Sequence, residues 1–290
     1  CNGIGAFGRL FSQKVTEKRY SFWHSIYRPV ENITVHVEQD IPWLGFRLML
    51  KQHIHHIVNG SFDSYLKQGQ FNFGYCPTIQ SSFDLKKNVE YDIFDMFLSR
   101  EIFDMVGRKD KLLYSFLATA DNGRATLLLP NAYWGNIYSQ DAIELLMRYP
   151  RSEVVAVQVV KSLLESAFEY TDRISLTEDN IEAIYYVREL IKKDVLLHIP
   201  IPELAKKCGI NTDLLKKGFF QVFRKTPYQY LLYERLKFAK EMLGNTNLSI
   251  QTIARKTGFQ FDTSFIKAFK KEFHQTPHSW RRNQMSIVVQ

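Results

Sequence analysis

The stretch "LSIQTIARKTGFQFDTSFIKAFKKEFHQTP", residues 248–277, has the pattern of two helices joined by a tight turn. Ser249 stands where a side chain can cap the first turn of a short helix. Gly258 falls where the chain must leave that helix, and glycine adopts the left-handed conformation at little cost. Apolar side chains then recur every four residues and predict the buried face of a longer second helix: Phe265, Phe269 and Phe273. The stretch therefore predicts a helix-turn-helix unit.

The same pattern occurs a second time, earlier in the chain. Residues 199–210 match residues 248–259 at a constant offset of 49, with Gly209 in the place of Gly258. Beyond that glycine the offset is 50, because one residue is inserted in the turn. The equivalent positions are Leu215 and Phe265, Lys217 and Lys267, Phe219 and Phe269, Phe223 and Phe273, and the Thr-Pro pairs 226–227 and 276–277, which are expected to end each unit. Two copies in register are a much more specific signal than a single one.

Residues 229–243, "QYLLYERLKFAKEML", predict one continuous helix between the two copies, since the run holds neither Gly nor Pro. At about 1.5 Å per residue the helix spans roughly 22 Å, and each flanking unit adds about 5 Å. The two second helices then lie near the roughly 34 Å that separates successive major-groove faces of one DNA duplex. This spacing predicts that one chain contacts two adjacent segments of the major groove.

The positive charge is confined to the same third of the chain. Residues 195–290 contain sixteen Lys and Arg against six Asp and Glu, a net charge of +10. The chain totals are 38 and 30, so residues 1–194 carry 38 − 16 = 22 basic and 30 − 6 = 24 acidic groups, a net charge of −2. Such asymmetry indicates a polyanionic partner for the C-terminal part.

The first two thirds change from strand patterns to helical ones. Alternating apolar residues predict short strands over residues 33–97, with turn or bulge signals at Asn59-Gly60, Gly69 and Gly74. A weakly patterned extension over residues 1–30 precedes them. Helices are predicted at 154–170 and 177–194, the second opened by a capping box of Ser175 and Glu178.

We therefore expect an α+β protein built from three parts. Residues 1–150 would form a β-rich domain, a small antiparallel barrel or sandwich, and residues 151–194 a helical linker. Residues 195–285 would form an all-α domain with helix-turn-helix units at 201–223 and 249–273.

Two further features of the composition concern the cellular location. The three cysteines, Cys1, Cys76 and Cys208, are too far apart for a disulfide framework or a zinc finger, which favours a reducing compartment. The most apolar stretch, residues 154–164, is too short to span a bilayer. We expect a cytoplasmic protein with no membrane partner.

Residues 201–227, the linker near Arg235 and above all residues 248–277 resemble the AraC/XylS family of bacterial transcription regulators. The family's GF, SF-x-K-x-FK and TP elements are all present in the last stretch, and "GINTDLLKKGF" is more weakly similar to the siderophore-regulator branch. The resemblance implies a DNA-binding transcription regulator, often an activator, whose cupin-like N-terminal domain senses a small molecule. Double-stranded promoter DNA, RNA polymerase and an unidentified small-molecule effector are the implied partners, and the helices at 154–194 could form a homodimer. No cofactor is implied.

Carried over position by position, the resemblance predicts which side chains contact DNA. Lys216, Lys217 and Lys267 can donate to guanine or to phosphate. For an Asp near the duplex, a role in capping or in a salt bridge competes with contact to a base. Gly218 inside the first recognition helix and Phe261, where a polar residue is usual, depart from the family pattern. The predicted DNA contacts are Thr212, Asp213, Lys216 and Lys217 in the first copy, Phe261, Asp262, Thr263, Ile266 and Lys267 in the second, and Ser249, Arg255, Lys225 and Lys270 on phosphates.

The N-terminal half leaves other interpretations open. His53, His55 and His56 form a cluster that could hold a metal as in cupin enzymes, although no third ligand stands at convincing spacing, so a polar strand edge is the ordinary interpretation. Several aromatic side chains could line a pocket or simply fill the core, and Cys76 beside them could sense redox state or be inert: Phe71, Phe73, Tyr75, Trp43 and Phe46. The alternatives to a ligand-responsive regulator are a metal-dependent cupin enzyme with a basic appendage and a constitutive regulator whose N-terminal half only dimerises. No catalytic motif was found in the sequence.

Overall fold

The computed structural model describes residues 2–5, 8–58, 62–107, 110–129, 132–168, 174–196 and 199–288. The chain divides into two compact units, Cys1–Arg173 and Ile174–Gln290. All the described strands lie in the first unit, whereas the second unit consists of helices. The α+β architecture expected from the sequence is confirmed.

The described strands of the first unit form two antiparallel sheets. The larger sheet has the order β1-β2-β3-β10-β5-β8-β11, with β12 also paired to β8, and the smaller has the order β4-β9-β6-β7. Because β3 and β5 flank β10, Trp23 and Arg47 lie on either side of Asp95 in the larger sheet. The strands are β1 (Asn2–Gly5), β2 (Gly8–Thr16), β3 (Tyr20–Pro29), β4 (Ile33–Gln39), β5 (Trp43–Lys51), β6 (Ile54–Val58), β7 (Phe62–Leu66), β8 (Gln70–Cys76), β9 (Ile79–Leu85), β10 (Tyr91–Leu98), β11 (Thr126–Leu127) and β12 (Tyr133–Trp134).

The expectation of a loose N-terminal extension was wrong, because most of residues 1–30 belong to β1, β2 and β3 of the larger sheet. In β3 the buried Tyr20 and Phe22 face one side, and Trp23 and Ser25 alternate with them on the other. Since both faces carry aromatic and small side chains, the contrast that reveals a period of two is weak.

The predicted turn signals have different outcomes. Gly69 has a φ of 77° between β7 and β8, as a turn requires. Gly74 was wrongly taken as a turn signal, because it lies inside β8, where an added Cβ would be only 2.8 Å from the Trp43 ring. Asn59-Gly60 lies outside the described residues.

Four helices of the first unit pack on one face of the larger sheet. They are α1 (Arg100–Val106), α2 (Lys111–Asp121), α3 (Ile137–Arg148) and α4 (Glu153–Phe168). Phe46 and Phe94 of the sheet form one core with Val159 and Leu163 of α4. The helix predicted at 154–170 is therefore present, with its apolar stripe buried against the sheet.

The opposite face of the larger sheet packs against the smaller sheet. Met49 and Ile93 of the larger sheet share a core with Ile54, Phe83 and Leu85 of the smaller one. This second core is smaller than the first, and the space between the sheets continues beyond it into a cavity described below.

The second unit contains seven described helices. They are α5 (Glu178–Lys193), α6 (Ile201–Lys207), α7 (Thr212–Phe223), α8 (Pro227–Asn245), α9 (Ile250–Lys256), α10 (Asp262–Phe273) and α11 (Pro277–Val288). Within the described part of the chain, no helix is both long enough and apolar enough to cross a membrane.

Helix α5 belongs to the second unit and packs against α7. Its capping box is formed by Thr177 and Asn180, not by Ser175 and Glu178 as predicted. The Tyr185 ring meets the Phe223 ring edge-on at 5.2 Å, which ties α5 to the first helix-turn-helix unit. The two compact units are divided at residues 173/174, so α5 is grouped with the helices that follow it. The domain boundaries expected from the sequence stay a prediction.

Candidate nucleic-acid interface and ligand cavity

The first helix-turn-helix unit consists of α6, the turn at Gly209 and α7. Gly209 has a φ of 68°, the left-handed conformation predicted for it. The Asn211 side chain accepts a hydrogen bond of 2.8 Å from the backbone N–H of Leu214 and so caps α7. The predicted stripe of Leu215, Phe219 and Phe223 is fully buried.

The second unit consists of α9, the turn at Gly258 and α10, and repeats this geometry. Ser249 caps α9 by accepting a hydrogen bond of 3.1 Å from the N–H of Thr252. Gly258 has a φ of 80°. Phe265 and Phe269 are fully buried, and Phe273 packs against the same core while staying half-buried.

One unbroken helix, α8, joins the two units. It is 19 residues long, about 28 Å, and therefore longer than the run that predicted it. The Thr-Pro pairs begin the following helices and do not end the preceding ones: Thr226 caps α8 in a capping box with Gln229, and Pro277 opens α11. A proline is tolerated there because the first helical N–H has no partner within the helix.

Arg235 of α8 bonds to the backbone of two segments that pack against this helix. Its Nε donates to the carbonyl oxygen of Val195 at 2.7 Å, and its Nη1 donates to the carbonyl oxygen of Gly258 at 3.2 Å. The side chain is only 7% exposed, and burial lowers the pKa of this guanidinium. Arg235 thereby fixes the turn of the second unit against α8.

The structure explains why residue 218 is a glycine. A Cβ at this position would lie 2.6 Å from Cδ1 of Ile184 and 3.2 Å from Cδ2 of Leu176. The glycine thus permits the close approach of α5 to α7. This packing offsets the cost of about 1 kcal/mol that glycine has in a helix relative to alanine.

Most of the predicted base contacts of the first unit are exposed on α7. Asp213, Lys216 and Lys217 are exposed and Thr212 is half-buried. Lys217 Nζ lies 2.9 Å from the Asp213 carboxylate, so part of its charge is neutralised within its own helix. The assignment of these residues to DNA stays a prediction.

The second unit presents a more apolar face at the start of α10. Phe261, Asp262, Thr263 and Lys267 are exposed and Ile266 is half-buried. Asp262 Oδ1 accepts a hydrogen bond of 2.8 Å from the N–H of Thr263 and is therefore partly occupied with its own backbone. These contacts to DNA also stay predictions.

The predicted phosphate contacts fall into two groups. Ser249, Arg255 and Lys270 are exposed. Lys225 is different, because its Nζ lies 3.6 Å from the Glu272 carboxylate and 5.0 Å from the centre of the Tyr233 ring, with the side chain only 14% exposed. This environment favours a role for Lys225 in joining the two helix-turn-helix units.

A cavity of about 370 Å³ lies between the two sheets of the first unit. Aromatic rings from the larger sheet form one wall of the cavity. Side chains of the smaller sheet form the opposite wall. The lining residues on which the argument below rests are Trp23, Trp43, Arg47, His56, Phe83, Asp95 and Phe97.

An ion pair and an uncharged histidine set the electrostatics of the cavity. Arg47 binds Asp95 through two parallel hydrogen bonds of 2.6 and 2.9 Å, and its guanidinium lies 5.0 Å from the centre of the Phe83 ring. Burial, with a smaller effect of the positive Arg47, lowers the pKa of His56 to about 2. Within the described residues, Arg47 Nη1 and His56 Nε2 are buried and have no hydrogen-bond partner. The cavity wall thus holds a neutralised ion pair and two unsatisfied polar atoms, and Glu38 adds one carboxylate to the lining.

The sequence pointed to other residues for this cavity. Phe46, Phe71 and Phe73 are buried in the core on the helical side, as the ordinary interpretation held, and of the five aromatic candidates Trp43 lines the cavity. The Cys76 thiol is buried and its pKa is raised by burial to about 11, which disfavours a reactive thiolate. The alternation of Trp23 with buried residues of β3 was the signal that could have revealed the other aromatic wall.

The histidine cluster does not converge on one point. His56 faces the cavity, His55 is exposed, and the His53 ring packs on Tyr65 at 5.2 Å. Among the described residues, no group of three or more His, Cys, Asp or Glu side chains is arranged to hold a metal ion.

Two helix-turn-helix units, in register and joined by one helix, define a class of DNA-binding domain. Residues 204–283 match the family model of the helix-turn-helix domain, and the C-terminal region is of the AraC type. The chain is 34% identical over 82 residues to the HTH-type transcriptional regulator AlkR of Acinetobacter baylyi, which is 28% of this chain and 27% of that protein. The chain therefore spans about a quarter of that relative's length.

Two further similarities concern the whole chain and the C-terminal region. The lactose operon transcription activator of Staphylococcus xylosus is 22% identical over 264 residues, 85% of this chain and 90% of that protein. A crystal structure of an AraC-type transcriptional regulator from Chromobacterium violaceum covers 37% of this chain and 96% of its own, with 22% identity and a TM-score of 0.35. The matched family model and the relatives support a DNA-binding transcriptional regulator and do not favour a metal-dependent enzyme.

Proposed function

We propose that this protein is a sequence-specific regulator of transcription that binds double-stranded promoter DNA through two adjacent major-groove segments. The observation that carries the proposal is the pair of helix-turn-helix units, each with an exposed cationic face on its recognition helix, joined by one continuous α8. A regulator of this kind acts on the chromosome and therefore in the cytoplasm.

The DNA-binding test uses the full chain and a pool of random duplexes. Duplexes that are enriched by repeated binding should share two short motifs about one helical turn apart, and footprinting should protect both on the same side of the duplex. With contacts to about six phosphates, the logarithm of the binding constant should fall with the logarithm of salt concentration with a slope near −5. A pool without enrichment, together with a flat salt dependence, would show that DNA is not the partner.

We further propose that the cavity between the sheets binds the effector, and that the effector is an uncharged molecule rich in hydroxyl groups, such as a sugar. The Trp23, Trp43 and Phe97 rings supply flat apolar walls for the C–H face of such a ring. Arg47 Nη1 and His56 Nε2 supply hydrogen-bonding atoms that lack partners within the described residues. A buried polar atom without a partner costs free energy, so a ligand whose hydroxyl groups reach these atoms is favoured.

The charge balance of the cavity favours a neutral ligand over an anion. Asp95 already neutralises Arg47, His56 stays uncharged at physiological pH, and Glu38 adds a negative charge to the lining. An anionic ligand would therefore lose its hydration without gaining a counter-charge. The operon named for the relative from Staphylococcus xylosus, the lactose operon, agrees with a sugar effector.

The effector test measures the thermal stability of the full chain with a panel of mono- and disaccharides that includes lactose, and with palmitate as a charged control. A bound sugar at about 100 times its dissociation constant should stabilise the protein by about 2.7 kcal/mol. His56→Leu removes one unpartnered nitrogen and should weaken sugar binding about tenfold, whereas Lys111→Ala, at an exposed position of α2, is the control. Stabilisation by palmitate alone would contradict the proposed ligand class.

We propose activation as the sign of regulation, since the relative that spans most of the chain is named as an activator. Activation requires contact with RNA polymerase, and a homodimer would double the number of DNA contacts. Transcription from a promoter that carries the selected motif should rise when protein and sugar are added to purified polymerase. A decrease would identify a repressor, and sedimentation of the full chain at several concentrations decides between monomer and dimer.

A further inference from the structure

The two helix-turn-helix units differ at the residue that precedes the recognition helix. In the first unit this residue is Asn211, whose side chain caps α7. The equivalent residue of the second unit, 50 positions later, is Phe261, and α10 has no side-chain cap hydrogen bond from this position. One copy of the repeat therefore has a favourable capping residue where the other has a residue that cannot cap.

Phe261 is unfavourable for folding in two ways. An apolar residue at the N-cap leaves helical N–H groups without the partner that Asn supplies. The ring is also 61% exposed, and within the described residues it makes no aromatic contact. A residue that breaks a local rule without a local gain marks a position where function, and not stability, determines the residue.

The surroundings of Phe261 are suited to the major groove of DNA. The ring stands at the N-terminal end of α10, the part of a recognition helix that contacts base edges in this class of domain. Lys267 and Lys270 of the same helix are exposed and carry the positive charge that a duplex attracts. In contrast to Asn211, Phe261 has no group that can hydrogen-bond to a base.

We propose that Phe261 is a specificity-determining residue that recognises thymine through the 5-methyl group in the major groove. The thymine methyl is the apolar feature that base pairs present there, and a phenyl ring buries it on contact. This inference rests on the proposed function, because it requires that α10 enters the groove. It assigns to the second unit a recognition chemistry that differs from that of the polar face of α7.

The experiment uses the full chain, the duplex obtained by selection and the variant Phe261→Asn, which restores the residue of the first unit. Each thymine of the duplex is replaced in turn by deoxyuridine, which lacks only the 5-methyl group. At one or two positions the replacement should weaken binding of the unchanged protein by about fourfold, the effect of one methyl group left in water. At those positions Phe261→Asn should bind both duplexes equally.

A stability measurement separates this role from damage to the fold. Phe261→Asn should raise the melting temperature of the protein by about 2 °C, because it adds a capping side chain, while it weakens binding to the selected duplex. Phe238→Asn, an exposed Phe of α8, is the matched control and should leave discrimination between thymine and uracil unchanged.

The outcomes also separate this inference from the proposed function. If the unchanged protein selects and binds a duplex but no uracil position distinguishes it from Phe261→Asn, the thymine contact is wrong and DNA binding stands. If Phe261→Asn weakens binding by the same factor on every duplex, the ring contacts DNA without recognising a methyl group, and the inference is also wrong. If no duplex is selected at all, the proposed function itself fails.

Discussion

Replacing Arg235 by Met tests how the second helix-turn-helix unit and the segment before α6 are held on α8. The side chain donates to the carbonyl oxygens of Val195 and Gly258, and Met retains the length of the apolar stem while removing both donors. Hydrogen bonds from a charged donor contribute about 1.5–3 kcal/mol each, so the two together contribute about 3–6 kcal/mol. The buried guanidinium loses hydration on folding, which offsets part of this gain. We expect a net destabilisation of about 3 kcal/mol.

The assay for Arg235→Met is native-state hydrogen exchange in the amides of α8, α9 and α10. Exchange resolves individual segments, which matters because a chain with two compact units need not unfold in one step. A loss of 3 kcal/mol accelerates the most protected amides by about 150-fold. Arg235→Lys retains the charge but not the planar fork, and should lose about half as much. Lys216→Met, at an exposed position, is the control. Unchanged protection in Arg235→Met would refute the bridging role of these hydrogen bonds.

Three further predictions concern other parts of the molecule. Lys267→Ala should lower affinity for the selected duplex by about 1–3 kcal/mol in a titration at fixed salt, and unchanged affinity would remove Lys267 from the interface. His56 has a pKa of about 2 in the folded state and about 6.5 in the unfolded state. Between these pH values the unfolded state binds a proton that the folded state does not, so stability falls as the pH drops below 6.5. Urea unfolding should therefore show a loss of about 2 kcal/mol at pH 5 that is absent in His56→Leu, and parallel pH profiles would contradict it. Gly258→Ala should destabilise the second helix-turn-helix unit more than Gly209→Ala destabilises the first. The new Cβ at position 258 would lie 2.9 Å from the Arg235 guanidinium, whereas at position 209 it would meet no atom within 4 Å. Equal melting temperatures of the two variants would be inconsistent with that contact.

The sequence predicted the C-terminal unit in detail because its determinants are local. The cap at Ser249 and the turns at Gly209 and Gly258 depend on neighbours within four residues, and the repeat supplied the turn expectation twice. The errors at the Thr-Pro pairs have a physical explanation: proline ends one helix and opens the next equally well, so the pair alone does not say which helix it belongs to.

The N-terminal unit was predicted less well because its pairings join residues far apart in the chain. The partners Arg47 and Asp95 are 48 residues apart, and β3 pairs with β10 although six described strands lie between them in sequence order. The aromatic run from Phe71 to Tyr75 was a reasonable candidate for a pocket, but the side of the sheet that faces a cavity depends on where helices α1 to α4 pack. Burial of His56 and its low pKa follow from the same arrangement.

The sequence by itself determined a duplicated, basic helix-turn-helix region and a rigid helix between the copies, since helical periodicity, caps and charge are written into consecutive residues. Only the tertiary structure decided that Arg235 joins α8 to Val195 and Gly258, that Lys225 pairs with Glu272, and that a cavity lies between two sheets. The physical reason is that long-range packing decides which polar groups leave water and meet one another, and that choice is not fixed by the spacing of residues along the chain.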